Sequence, residues 1–533
     1  MASHNPPAGP PPMNAYSVPP GPAPNNPHDF AGAGEAADYY QGYVPPPPYM
    51  APPAAGAKNE YTFEEKFVVN KPKYNDVWAG FLLILDILGF AAVSALSVRG
   101  YTSTRSTQGS GIYDDKSNDF GLSTNTIILF IFVLGMSFIL AWGYFLAVRA
   151  FTKQFIYATA IVNILVGLGT AVYYFTRHYY SAAIVFFIFA LFYIFCFLTW
   201  RSRIPFAVFM LQTVMDVARR FGHVFVVSFI GGIIALSFGA WFAVTFVAVY
   251  ARYTPSVDNP ACRDGGCSRA RVIGLLVFVT FSGYWITEFI KNAMHMTVSG
   301  VYGSWYFCSR SPAGMPKRPT LGAFKRTMTY SFGSVSLGSL IVSLIQILKQ
   351  AASIAQQENA NEGNIVACVL FCILSCILSF VTWAVQYFNH YAYSLIALYG
   401  KAYIPAAKET WHMVKDRGFD ALINDALVDP ILTMGSVTIG YLSALLAYLY
   451  LQFTNPMYNR DGKFCVFTPV VLAFAFLVGL QMGNVILNPL KSGVSTLFVA
   501  MAWDPMVLKR DHGELYARMI QVYPRAQYAL SGV

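Results

Sequence analysis

Ten long apolar runs, separated by short polar stretches, constrain this chain more than anything else in it. A run of about 18 or more apolar residues crosses a ~30 Å hydrocarbon core as one helix. In lipid every backbone polar group must be satisfied internally, which only helices and closed barrels achieve. The runs fall at 78–98, 127–148, 155–175, 182–200, 224–250, 272–293, 331–348, 364–386, 431–453 and 467–488. Charged residues make up 12% of the chain, against roughly 25% in soluble domains, too few to coat a water-facing surface. The expected fold is therefore all-α, a polytopic membrane protein with about ten transmembrane helices.

The even number of spans places both termini on one side, and the basic residues choose the side. With a cytosolic N-terminus, Lys and Arg on inner segments outnumber those on outer loops by about two to one, as the positive-inside rule expects. The same reading accounts for the net charge of +10 without nucleic acid, since no zinc-finger spacing, basic helix or RNP-like segment is present. The transmembrane domain is expected over 78–505, preceded by a juxtamembrane segment at 58–77 and followed by a short cytosolic tail at 506–533. Residues 1–57 are rich in Pro, Gly, Ala, Asn and Tyr, have little to bury, and read as a disordered cytosolic tail with polyproline II character. They contain no apolar core of signal-peptide length, so the first span is expected to direct its own insertion. Within the tail, Pro46, Pro47 and Tyr49 belong to a PPPY tract of the kind that WW-domain grooves bind, a possible handle for a WW-domain ubiquitin ligase. A Pro/Tyr-rich tail also makes such tracts by chance.

Three spans have helical patterns that continue well past the bilayer, around 272–307, 364–399 and 467–503; they either project or break. Cys262 and Cys267 share a polar loop placed outside, where an oxidising compartment favours a small disulfide loop over two free thiols. No further Cys or His stands near enough to complete a zinc site. Cys368, Cys372 and Cys376 repeat at i+4 inside an apolar span and read as small packing residues. Gly231-x-x-x-Ala235-x-x-x-Gly239 and Ser334-x-x-x-Gly338 read as stripes for close helix packing.

Four segments carry a family likeness. FVTFSGYWITEFIKNAMHMTVSGVYGSWYF, SFGSVSLGSLIVSLIQILKQ, FNHYAYSLIALYGKAYIPAAKETWHMVKDRGFDALIND and NPLKSGVSTLFVAMAWDP occur in that order. Together they resemble the choline transporter-like family of solute carriers, and with the Pro-rich tail they look like its fungal, "pH nine sensitive" branch. The resemblance covers about Arg271 to Pro505. It implies an all-helical fold, a plasma-membrane address and transport of an organic cation.

A quaternary ammonium has no N–H to donate and is held over aromatic faces. Bundle-facing aromatics are therefore the expected binding groups, with Trp285 on the sixth span and Trp383, Tyr387 and Tyr391 on the eighth. Trp and Tyr also anchor helices at membrane interfaces. Glu288 lies inside an apolar span, where ionisable groups usually face the bundle interior. With Lys291, Asn292 and His295 it forms an i, i+3, i+4, i+7 stripe. Glu288 reads either as a counter-charge for the cation or a coupling site, or as the partner of Lys291 in an intrahelical pair. Gln386, Asn389 and His390 form a similar stripe on the eighth span, and Asp86 stands alone in the first. Trp285-x-x-Glu288 matches Trp383-x-x-Gln386 in offset, as a weak internal repeat or as chance similarity. Substrate binding is thus expected from Trp285, Glu288, Asn292, Trp383, Gln386, Tyr387 and Tyr391, and gating or coupling from Lys291, His295, His390 and Asp86.

The reading is a plasma-membrane secondary transporter of choline or a related small organic cation, working by alternating access. The alternative is a non-transporting scaffold or sensor on the same fold. No nucleophile–base constellation, metal cluster or nucleotide loop is visible, so neither an enzyme nor a cofactor is expected.

Overall fold

The computed structural model of the protein describes residues 73–104, 124–201, 204–255, 268–310, 314–362, 364–416, 428–454 and 467–522. The tail with Pro46, Pro47 and Tyr49, and the loop with Cys262 and Cys267, lie outside the described residues. Fifteen helices are described: α1 Val77–Thr104, α2 Thr124–Ala150, α3 Thr152–Thr176, α4 Tyr180–Trp200, α5 Ile204–Arg220, α6 His223–Tyr253, α7 Arg269–Cys308, α8 Pro319–Met328, α9 Phe332–Asn361, α10 Ile365–Tyr399, α11 Tyr403–Asp416, α12 Val428–Thr454, α13 Phe467–Trp503, α14 Pro505–Asp511 and α15 Gly513–Val522.

Every expected span falls on a helix. Among the described residues nine helices are long and apolar enough to cross a membrane, and ten if α4 and α5, inclined by 84° across their break, count as one bent span. The protein is an all-α, multi-pass membrane protein.

The three long patterns are continuous helices of 40, 35 and 37 residues (α7, α10 and α13). At 1.5 Å per residue they run to about 50–60 Å, far beyond the ~30 Å hydrocarbon core. Their ends are set locally. The Ser268 side chain accepts from the Arg271 N–H at the start of α7, and Asn364 accepts from Ala367 at the start of α10. Both supply a partner to an orphan N–H of the first turn. Gly400 stops α10 in the left-handed conformation, φ 65°, which glycine adopts without steric cost. Helix α9 runs to Asn361 rather than ending near 348, because the polar stretch that follows is rich in the good helix formers Ala, Gln and Glu.

Five helices, α5, α8, α11, α14 and α15, lie outside the ten runs. Helix α5 buries Ile204, Ala207, Met210, Leu211, Val214, Met215, Val217 and Ala218, the recurrence expected of an amphipathic segment.

Helix α7 is the axis of the bundle, packing against α1, α6, α8, α9, α10 and α13. Small residues let its neighbours close in. On α9, Gly333, Ser334, Ser336, Gly338, Ser339 and Ser343 are all buried. A Cβ at Gly338 would meet the Tyr393 hydroxyl and the Tyr403 ring, as the small-residue stripe predicts. On α6 the stripe is only half used. A Cβ at Gly231 would strike Met294, but nothing lies within 4 Å of one at Gly239. The cysteine reading is corrected too. Cys372 and Cys376 are exposed, on the same outward half-helix as Val366, Leu370, Ile373, Ile377 and Phe380, so they turn away from the bundle rather than pack within it.

Candidate functional site

The polar stripes of α7 and α10 lie side by side. Glu288 meets Gln386, His295 meets His390, and further along Tyr306 and Tyr399 both reach Asp504, so the two helices run in the same direction. Helix α9 closes one flank of the seam and α13 the other.

Glu288 is buried within a membrane-spanning helix. Its Oε1 accepts from Gln386 Nε2 at 3.1 Å and Gln346 Nε2 at 3.3 Å. Lys291 Nζ stands 3.6 Å from Oε2, with its side chain 56% exposed. The intrahelical pair therefore exists, but it involves one oxygen only; two amides from neighbouring helices hold the other. A buried carboxylate without such partners would be prohibitively costly.

One turn along, Asn292 donates to Ser339 Oγ at 2.9 Å and lies 3.4 Å from the Tyr393 hydroxyl. His295 comes next. Its Nε2 is 2.9 Å from the carbonyl oxygen of His390. A carbonyl only accepts, so Nε2 carries the proton and Nδ1 accepts from the Ser492 hydroxyl at 2.9 Å. His390 Nδ1 is also 2.9 Å from His295 Nε2, and the ring centroids are 3.8 Å apart. Asn389 bridges to the Gly338 carbonyl and accepts from Tyr403.

Helix α13 reaches this seam through its NPLKSGVST segment. Pro489 lies inside the helix, removing one backbone donor. A Cβ at Gly493 would meet Tyr302 and Val214, so only glycine lets α13 approach α7 so closely.

The aromatics divide. Trp285 is buried and its indole N–H donates to the Ser336 carbonyl at 3.0 Å, a structural tie. Trp383 does not face the bundle as expected; it is 58% exposed. It stacks on Tyr387 at 5.7 Å with an interplanar angle of 19°, Tyr387 meets Tyr391 at 5.0 Å, and buried Tyr391 reaches Phe498 of α13. These rings form an i, i+4, i+8 ladder leading from the surface of α10 into the bundle. Asp86 is separate from the seam. It is buried beneath α7, where Oδ1 accepts from Ser282 at 2.8 Å.

Sequence reasoning missed Gln346, Ser339 and Ser492. The signal for Gln346 was present, as a single amide within the apolar SLIQIL segment.

At the far end, Tyr399 donates to Asp504 Oδ2 at 2.6 Å and Tyr306 to the Asp504 carbonyl at 2.9 Å. His512 Nε2 lies 2.9 Å from the Tyr306 carbonyl, with the imidazole stacked on Tyr306 and 4.7 Å from Trp305. Lys401 pairs with Glu409 and sits over the Trp503 ring at 5.1 Å. These contacts close the bundle below the seam.

The protein is thus a multi-pass membrane protein whose central helix runs through a buried polar seam of one carboxylate, two paired imidazoles and amides from the neighbouring helices. Residues 184–506, more than half of the chain, match the family described as plasma-membrane choline transporters, and the chain belongs to this choline transporter-like family. Fungal relatives extend the likeness to nearly the whole chain. It is 54% identical to the Aspergillus fumigatus protein named pns1 over 505 residues, covering 94% of this chain and 93% of the relative. To the Saccharomyces cerevisiae protein named PNS1 it is 40% identical over 477 residues, covering 88% of each.

Proposed function

We propose that the protein is a plasma-membrane secondary transporter of choline or a closely related small organic cation, with both termini cytosolic. Buried Glu288 carries this reading. A carboxylate held inside a membrane-spanning helix by amides from two neighbouring helices is a costly arrangement, and a cationic cargo gives it a use. Tyr387 and Tyr391, the inner rungs of the aromatic ladder, support the same reading, because ring faces suit a cation that cannot donate an N–H. The cargo passes between α7, α9, α10 and α13, and the two ends of the bundle open in turn. Lys291 lends a competing positive charge to Glu288 until the cation arrives.

Uptake of radiolabelled choline into proteoliposomes tests this. The purified wild type should show saturable uptake. Glu288→Gln keeps the shape but not the charge, and should reduce uptake by roughly tenfold or more. Folded wild-type protein that takes up no more than empty liposomes would remove choline as the cargo. In the tail, the PPPY tract supports control of surface lifetime by a WW-domain ubiquitin ligase; deleting Pro46 to Tyr49 should lengthen that lifetime in a pulse-chase measurement.

A further inference from the structure

Gln346 of α9 has its amide orientation fixed by chemistry. Its partner is the carboxylate oxygen Glu288 Oε1, at 3.3 Å. A carboxylate only accepts, so Nε2 must point at it and Oε1 must point elsewhere. That Oε1 is shut off from solvent and has no hydrogen-bond partner among the described residues. Its neighbours in the seam differ, since Asn292, His295, Asn389 and Tyr393 each engage a protein group. A buried acceptor held away from its neighbours calls for a partner that those neighbours do not supply.

We propose that Gln346 is a specificity-determining residue: Nε2 orients Glu288, and Oε1 accepts the hydroxyl of a hydroxylated organic cation whose charge Glu288 balances. The inference rests on the transporter reading above and adds to it a requirement on the cargo. A quaternary ammonium has no N–H, so the one donor that a choline-like molecule offers is its hydroxyl. The carboxylate and the buried oxygen are one amide group apart, and the seam must open for a single small molecule to touch both. A site built around a hydrogen bond to the cargo rejects an analogue lacking that group more strongly than an apolar pocket rejects a missing methylene.

The test is competition for labelled choline in proteoliposomes by unlabelled choline and by ethyltrimethylammonium, which has the same charge without the hydroxyl. Wild-type protein should prefer choline by about tenfold or more. Gln346→Met, similar in length but without an amide, should bring the two competitors within about twofold of each other. Gln346→Leu gives the same comparison if the methionine variant does not fold. A choline preference that persists in these variants overturns the proposal, and so does a wild type indifferent to the hydroxyl; either result leaves the transporter reading standing. Wild-type protein that takes up no choline removes that reading and the proposal with it.

Discussion

Gly333→Ala is expected to destabilise the folded protein by about 3 kcal/mol, whereas Gly239→Ala leaves it unchanged or slightly improves it. Both glycines are helical, so intrinsic propensity favours alanine by up to ~1 kcal/mol at each. The surroundings decide the sign. A Cβ at Gly333 would run into the backbone oxygens of Asp76 and Asn75, and backbone cannot step aside as the end of a flexible side chain can. Those two residues are also anchored. Asp76 Oδ2 accepts from Ser334 at 2.6 Å and from the Tyr403 N–H at 2.8 Å, while Asn75 donates to the Gly400 carbonyl at 2.9 Å. Making room at Gly333 therefore disturbs the starts of α1, α9 and α11 together. At Gly239 the space is open. Thermal denaturation in detergent, read by size-exclusion chromatography, separates the two variants. Equal midpoints would mean that α1 and α9 are not packed as closely as described.

The closed end of the bundle is expected to loosen on mild acidification. Burial pushes the His512 imidazole below its ordinary value; the Tyr306 carbonyl and Asp511 oppose this, and Arg310 adds to it. A histidine whose proton affinity is reduced in the clamped state favours that state at neutral pH. The advantage is lost as pH falls below about 6.5, where the released ring begins to take up a proton. Asp504 acts in the opposite sense. Burial raises its carboxyl above 3.8, with the Tyr399 hydroxyl pulling it down, so protonation relieves its burial instead of opposing the clamp. Cys308, buried at the end of α7, is a native reporter. Its modification rate, normalised to that of unfolded protein and followed by peptide mapping, should rise roughly threefold to tenfold between about pH 7.5 and 5.5. His512→Phe retains an aromatic ring but cannot titrate, and should flatten the profile. A profile that is the same in both proteins would place the pH response elsewhere.

Span positions were legible because lipid imposes a length and an apolar composition that few other environments do. The helices outside the ten runs were not, since α8, α11, α14 and α15 are too short and too polar to register as spans, and α5 carries only an amphipathic pattern. The polar stripe on α7 could be read from i, i+3, i+4 spacing, and the matched offsets of Glu288 and Gln386 foreshadowed their hydrogen bond. Which face α9 turns toward Glu288 is a matter of helix rotation, set by glycines and serines whose fit appears only in three dimensions. Gln346 was hidden for that reason. Trp383 was misplaced because an aromatic at the right offset has the same sequence signature whether it lines a bundle or faces outward.

Helix α7 has a mechanical consequence that follows from its length. From Glu288 to Cys308 it is an uninterrupted rod of about 30 Å, at 1.5 Å per residue. Pivoted near Glu288, a tilt of only about 10° would sweep the far end through roughly 5 Å, close to one helical pitch. The helix is thus a lever pivoted where one small ion would bind, with an arm that ends at Trp305, Tyr306 and the His512 clamp.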